Sequence, residues 1–213
     1  MIVPALITNS QKELDSMIDK VKDYVKRVQL DLMDGKFVPT KSLMFDLKLK
    51  PSVKYEAHLM VEKSEEWIKK NIEKADIFLP HFETVKNPNE IIAFVKSKNK
   101  KIGFAINPKT PISDIAPYLD KLDMVLIMTV DPGFYGSKFI PGVLPKIKEL
   151  RTLKPNLDIE VDGGIAPGTI ELVKEAGANI FDSGSFIFKS SNPKQAIEKL
   201  KELSRWKRFF LLL

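Results

Sequence analysis

Four side chains suited to proton transfer or to holding a cation fall at strand-like positions: Gln29, Asp31, His58 and Asp162. Gln29 and Asp31 are two apart in one apolar run, so their side chains leave the same side of a strand. Asp31 lies near the C-terminal end of that run, His58 near the end of the next, and Asp162 closes the run at 157–162. Brought to one mouth, two carboxylates, an imidazole and an amide oxygen form a ligand set for a divalent cation, with carboxylates also able to move protons. Each residue has a plainer reading. A lone strand histidine is commonly a hydrogen-bonded structural residue, and an aspartate beside Gly-Gly, or in Asp34-Gly35, is a common turn former. His81, in Pro80-His81-Phe82-Glu83, is read as structural.

Three glycine clusters follow the last three apolar runs: Pro132-Gly133-Phe134-Tyr135-Gly136-Ser137, Asp162-Gly163-Gly164 and Ser183-Gly184-Ser185. Glycine lets backbone approach a ligand closely, and N–H groups at a loop-to-helix junction point partial positive charge at an anion. Gly163, Gly164, Gly184 and Ser185 are therefore candidates for a phosphate cradle, and Gly133 and Gly136 for a loop covering a substrate.

These positions need elements to hold them. Short β-branched runs recur near residues 2–7, 27–33, 53–61, 76–81, 101–107, 122–130, 157–162 and 179–183, with helical periodicity between most of them. Leu14, Met17, Ile18, Val21 and Val25 make one stripe, with Ser10 and Glu13 as a capping box. Asn87-Pro88, Thr110-Pro111, Ala166-Pro167 and Asn192-Pro193 announce later helices. A short helical signal at 42–50 leaves Gly35 to Lys41 as a loop. No Gly-x-Gly-x-x-Gly turn follows the first run, so eight βα units favour an α/β fold closed as a (β/α)8 TIM barrel over an open dinucleotide-binding sheet.

The 213 residues suit a single barrel domain over 1–213, with a short apolar tail at 205–213 that packs on the barrel or on another subunit. The absence of cysteine removes disulfides and thiolate chemistry and fits a cytoplasmic location. No apolar run reaches the length of a membrane span, and the N-terminus reads as a strand rather than a signal peptide. The net charge of +6 comes from scattered lysines such as Lys63, Lys69, Lys70 and Lys74, without an aromatic-interleaved patch, which argues against nucleic acid.

The segments 30–39, His58-Leu59-Met60-Val61, Met128 to Phe134, Lys138-Phe139, Glu160 to Gly164 and Ser183-Gly184-Ser185 together resemble the ribulose-phosphate 3-epimerases, in order, from Val3 to about Lys189. The resemblance implies a barrel of the ribulose-phosphate-binding type and interconversion of ribulose 5-phosphate and xylulose 5-phosphate in the pentose phosphate pathway. Asp31 and Asp162 would be the acid/base pair working through an enediolate. Gln29, Asp31, His58 and Asp162 would hold a divalent metal ion (Zn, Fe, Mn, Co or Mg), with His58 also at the substrate and Met33, Met60 and Met128 shielding the pocket. A phosphorylated ketose would be the partner, and a homo-oligomer the assembly.

Four positions depart from the family pattern. Gln29 replaces the usual histidine ligand and should weaken zinc or iron binding relative to manganese or magnesium. Ala5 lacks the usual serine hydroxyl, while Lys36 and Thr40 stand where His and Asn are usual. The other readings kept open are epimerisation of another ketose phosphate, such as a hexulose 6-phosphate, and a degenerate sugar-phosphate binder. An aldolase or decarboxylase would need an Asp-x-Lys at a strand end, and Ala57-His58-Leu59-Met60 lacks it.

Overall fold

The computed structural model describes residues 1–134 and 136–205. In chain order the principal elements are β1 (Ile2–Leu6), α1 (Gln11–Val21), β2 (Arg27–Asp34), β3 (Lys41–Ser42), β4 (Lys54–Met60), α2 (Ser64–Lys70), β5 (Ile77–Pro80) and α3 (Pro88–Ser97). They continue with β6 (Lys101–Ile106), α4 (Ile112–Ile115), β7 (Met124–Met128), α5 (Leu144–Leu153), β8 (Asp158–Asp162), α6 (Thr169–Ala176), β9 (Ile180–Ser183), α7 (Ser185–Phe188) and α8 (Pro193–Ser204). Parallel pairing runs β1-β9-β8-β7-β6-β5-β4-β2, and a β1–β2 pairing closes the ring. All eight expected strands are therefore present in a (β/α)8 TIM barrel, and the two-residue β3 adds an antiparallel flap to β2.

The expected helix at 42–50 is absent. Leu43 sits at φ 54, outside the right-handed helical region, and its N–H bonds to the Thr8 carbonyl rather than to a helical turn. Segment 43–50 instead runs beside the start of α1, where Gln11 Nε2 donates to the Lys48 carbonyl and Lys48 N–H donates to Gln11 Oε1, with Leu43 and Leu47 buried in the outer core. Two of the Pro-initiated helices begin as read, α3 at Pro88 and α8 at Pro193. The other two start one and two residues later, at Ile112 and Thr169. Half of the capping box forms: Ser10 accepts from the Glu13 N–H, while the Glu13 carboxylate turns to the Thr8 hydroxyl. The tail, beyond Arg205, lies outside the described residues.

Strand faces divide the interior from the outer layer. Leu30, Leu32, Ala57, Leu59, Val125, Ile127, Ile159 and Val161 face the helices, where they meet the α1 stripe Leu14, Met17, Ile18 and Val21 in one cluster. Each such buried aliphatic side chain adds roughly 2 kcal/mol of stability. Val25 lies past the end of α1 and is only partly buried.

The barrel lumen is itself divided. Val3, Ile77, Leu79, Ala105, Met124, Leu126 and Ile180 fill it with apolar volume. Arg27, Gln29, Asp31, Glu56, His58, Glu160 and Asp182, from β2, β4, β8 and β9, make the buried polar part. The β2–β4 ladder runs in unbroken register from Arg27↔Lys54 to Met33↔Met60 and sets Asp31 beside His58. In the lower layer Arg27 reaches Glu56 Oε2 at 2.8 Å and Glu160 Oε1 at 3.3 Å, while neither oxygen of Asp182 has a hydrogen-bond partner.

Three buried carboxylates against one guanidinium are not electrically balanced. Burial, followed by the charges of the neighbouring carboxylates, pushes Glu56 and Asp182 well above the usual carboxylate range. A raised carboxyl contributes stability that is complete below its unfolded value of about 4 and is lost as pH climbs through its folded value. Asp182→Asn keeps the shape, removes one charge and offers an N–H to Glu160. It is expected to raise stability at pH 8 by about 1–3 kcal/mol, a shift of several degrees in Tm. Thermal melts at pH 5 and pH 8 check this: the gain should appear at the higher pH and shrink at the lower.

Candidate active site at the C-terminal end of the barrel

β2 delivers Gln29 and Asp31, β4 delivers His58, and β8 ends on Asp162. The four side chains meet in the lumen. Gln29 Nε2 donates to Asp31 Oδ1 at 2.8 Å and to Asp162 Oδ2 at 2.9 Å. His58 Nδ1 lies 3.2 Å from Asp31 Oδ1 and 3.3 Å from Asp162 Oδ2. One amide and one ring nitrogen thus bridge a pair of carboxylates that would otherwise repel each other across a dry site.

Burial, and then the Asp162 charge, pushes Asp31 up to about 6, against the opposing hydrogen bonds from His58 and Gln29. Burial alone would lower His58. The hydrogen bonds to Asp162 and Asp31, with their charges, outweigh it and hold the imidazolium up to about 9.

Asp31, His58 and Asp162 each place a donor atom within 4.8 Å of the others, so the group can hold a metal ion. Gln29 decides whether a fourth donor exists. Its Oε1 is buried with no hydrogen-bond partner, while its amide nitrogen serves both carboxylates. The same amide turned over presents its oxygen to the carboxylate pair, the sense that a cation there would favour, so the residues fit a divalent ion.

Above this cluster lies one pocket lined by Ala5, Asp31, Met33, Met60, Met128, Gly133, Gly136, Asp162, Gly163, Gly164, Gly184 and Ser185. Every candidate residue named from the sequence is there except Gln29 and His58, which are fully buried behind the carboxylates. Asp182 also lines it.

Gly163 and Gly164 have φ of 114° and 65°, and a Cβ on Gly163 would come within 2.4 Å of Val130. The end of β8 is pinned from the next strand, since Thr129 N–H and Oγ1 donate to the Asp162 carbonyl at 2.7 and 2.9 Å. Across the pocket, Gly184 starts the single turn of α7, whose first amides have no acceptor within the helix. Asp34 is a turn former, as its alternative reading held: it accepts from Lys36 and Phe37 N–H and from Glu62 N–H. Two loops close the side of the pocket: Thr40 Oγ1 donates to the Gly133 carbonyl, and Val38 occupies the space beside Gly133, 2.6 Å from where a Cβ would stand.

His81 was read from the sequence as structural, and Glu83 was not singled out. His81 is fully buried, with Nε2 3.0 Å from His58 Nε2 and Nδ1 3.2 Å from Glu83 Oε2.

The sequence profile of the ribulose-phosphate 3 epimerase family matches residues 1–188. The ribulose-phosphate 3-epimerase of Bacillus subtilis is 36% identical, covering 94% of this chain and 97% of its own. That of Schizosaccharomyces pombe is 35% identical, covering 94% and 92%. Among solved structures, 3-hexulose-6-phosphate synthase from Salmonella typhimurium superposes with a TM-score of 0.69 at 17% identity, covering 95% of this chain and 97% of that one. Orotidine 5'-monophosphate decarboxylase from Methanocaldococcus jannaschii gives 0.65 at 18% identity, covering 96% and 98%. These two likenesses concern the fold alone. With the profile spanning most of the sequence and relatives above one-third identity over nearly its full length, the chain belongs to the ribulose-phosphate 3-epimerase family.

Proposed function

We propose that this chain is a ribulose-phosphate 3-epimerase, an isomerase that interconverts D-ribulose 5-phosphate and D-xylulose 5-phosphate. The observation that carries the reading is the meeting of Asp31 and Asp162, from strands on different sides of the lumen, beneath a pocket walled by Gly164, Gly184 and Ser185. A sugar phosphate would lie with its phosphoryl group on those backbone amides and its C3 between the carboxylates.

Asp31 or Asp162 removes the C3 proton, leaving an enediolate, and the other carboxyl returns a proton to the opposite face. The reverse reaction exchanges the roles. A carboxyl held up near 6 suits this, because both proton states lie close to neutral pH. A divalent cation held by Asp31, His58, Asp162 and the Gln29 oxygen would supply Lewis-acid stabilisation of the negative charge on the sugar oxygens. Met33, Met60 and Met128 give the pocket an apolar lining that keeps water from the proton-transfer path. Ala5 presents only a methyl group in the same pocket. Self-association and a cytoplasmic location belong to the same proposal; one relative, from Oryza sativa, is described as a cytoplasmic isoform.

Solvent-deuterium exchange at C3 of ribulose 5-phosphate tests the acid/base assignment. Asp31→Asn and Asp162→Asn are each expected to lower exchange and turnover roughly a hundred- to ten-thousand-fold while phosphate-dependent binding persists. Wild-type binding with no exchange under any divalent ion would leave a sugar-phosphate binder instead.

Proton linkage predicts how the cation binds. Its entry must displace the proton that His58 retains up to about pH 9, so affinity for Mn2+ should rise about tenfold per pH unit between about pH 6 and pH 9, and more steeply below 6, where Asp31 is protonated too. Calorimetry in buffers of different ionisation enthalpy reads the released proton, and a pH-independent affinity would contradict the assignment of His58 as a ligand. Gln29→His should raise Zn2+ affinity by roughly an order of magnitude or more and move the preference away from Mg2+, measured by competition with a chromogenic chelator.

A further inference from the structure

The two imidazoles of the chain meet edge to edge, with ring centroids 5.1 Å apart and planes inclined by 20°. Between His58 Nε2 and His81 Nε2, 3.0 Å apart, there is room for one hydrogen, so one ring donates and the other accepts. The far side of His81 settles which. Its Nδ1 faces Glu83 Oε2 at 3.2 Å, and a carboxylate only accepts. His81 therefore carries its hydrogen on Nδ1, leaves Nε2 as a lone pair, and receives the Nε2–H of His58. With Nε2 committed to that bond, Nδ1 is the nitrogen that faces Asp31 and Asp162, and it is the one a cation takes once its proton has been displaced.

The direction of this chain is imposed from outside the strands. Glu83 is held by the Asn107 N–H at 2.8 Å and by the Thr110 hydroxyl, both in the loop beyond β6. The Asn107 and Pro108 carbonyls accept from Lys146 Nζ at 2.9 and 2.7 Å, which ties that loop to α5. His81 itself bridges to Ala105, and the Phe37 ring lies 4.9 Å from its own.

We propose that His81 and Glu83 are positioning residues that fix the tautomer of His58, so that its Nδ1 is the nitrogen offered to a divalent cation. A ring held this way keeps its donor atom in place without touching substrate, and loss of the outer partner weakens cation binding rather than substrate binding. The inference rests on the reading of Asp31, His58 and Asp162 as a cation site.

The test uses the full chain with 15N-labelled histidine, whose two rings give four nitrogen signals to assign, and Zn2+ as a diamagnetic probe. In the metal-free protein His81 should appear as the Nδ1–H tautomer. Glu83→Ala should distribute His81 between both tautomers and lower Zn2+ affinity roughly 10- to 100-fold, with KM for the sugar phosphate unchanged at saturating Zn2+. Glu83→Gln, whose amide oxygen can still accept, should retain the tautomer and most of the affinity. The proposal is overturned if His81 carries its hydrogen on Nε2 in the wild type. It is also overturned if Glu83→Ala leaves tautomer and affinity unaltered, or if Glu83→Gln loses as much as Glu83→Ala. Should Glu83→Ala fail to fold, the wild-type spectrum and Glu83→Gln still decide. A wild type that binds no Zn2+ would count against the cation site instead, and the metal-free tautomer would still judge His81 and Glu83.

Discussion

Two carboxylates that repel each other are forced into one dry space, and the rest of the molecule is arranged around that repulsion. Asp31 and Asp162 come from strands that are not neighbours in the ring, so only closure of the barrel brings them together. Between them stand the Gln29 amide and the His58 ring, each reaching both carboxylates. The same negative charge that can hold a divalent ion also holds a proton on His58, whose imidazolium the two carboxylates stabilise.

The division of the lumen explains how the fold tolerates such a site. Apolar side chains such as Leu79, Leu126 and Met124 fill part of the barrel to normal packing and carry closure, leaving the strands around β2, β4 and β8 free to present polar groups. The polar part has two levels. The upper level, with Gln29, Asp31, His58 and Asp162, opens towards the pocket, whereas the lower, with Arg27, Glu56 and Glu160, is enclosed and is balanced only in part by its guanidinium. Stability and function thus draw on the same strands, one level apart.

Most of the architecture was legible from the alternation of apolar runs, because each parallel strand is buried on both faces and reads as a short β-branched block. The segment 43–50 misled, since its apolar residues have helical spacing but serve as plugs against α1 while the backbone follows a flap. The three glycine clusters come together around one pocket, as strand direction sends all βα loops to one end. His81 was not legible as part of the site, because its partner lies on another strand and only the register of β4 against β5 brings the rings together. Thr129 was equally silent, its role being to clamp the backbone at Asp162 rather than to face the pocket.

The contact between the loop after β2 and the loop after β7 has one more consequence. Val38 is seated against Gly133, and Thr40 is fastened to the carbonyl of the same residue, so the two loops are buttoned together at a single point. One of them begins at the strand carrying Asp31, and the other brings Gly133 and Gly136 to the pocket that Gly163, Gly164 and Gly184 also line. The shape of one loop is therefore bound up with that of the other: a side chain exchanged at Val38 or Thr40 is felt at the Gly133 backbone on the opposite edge.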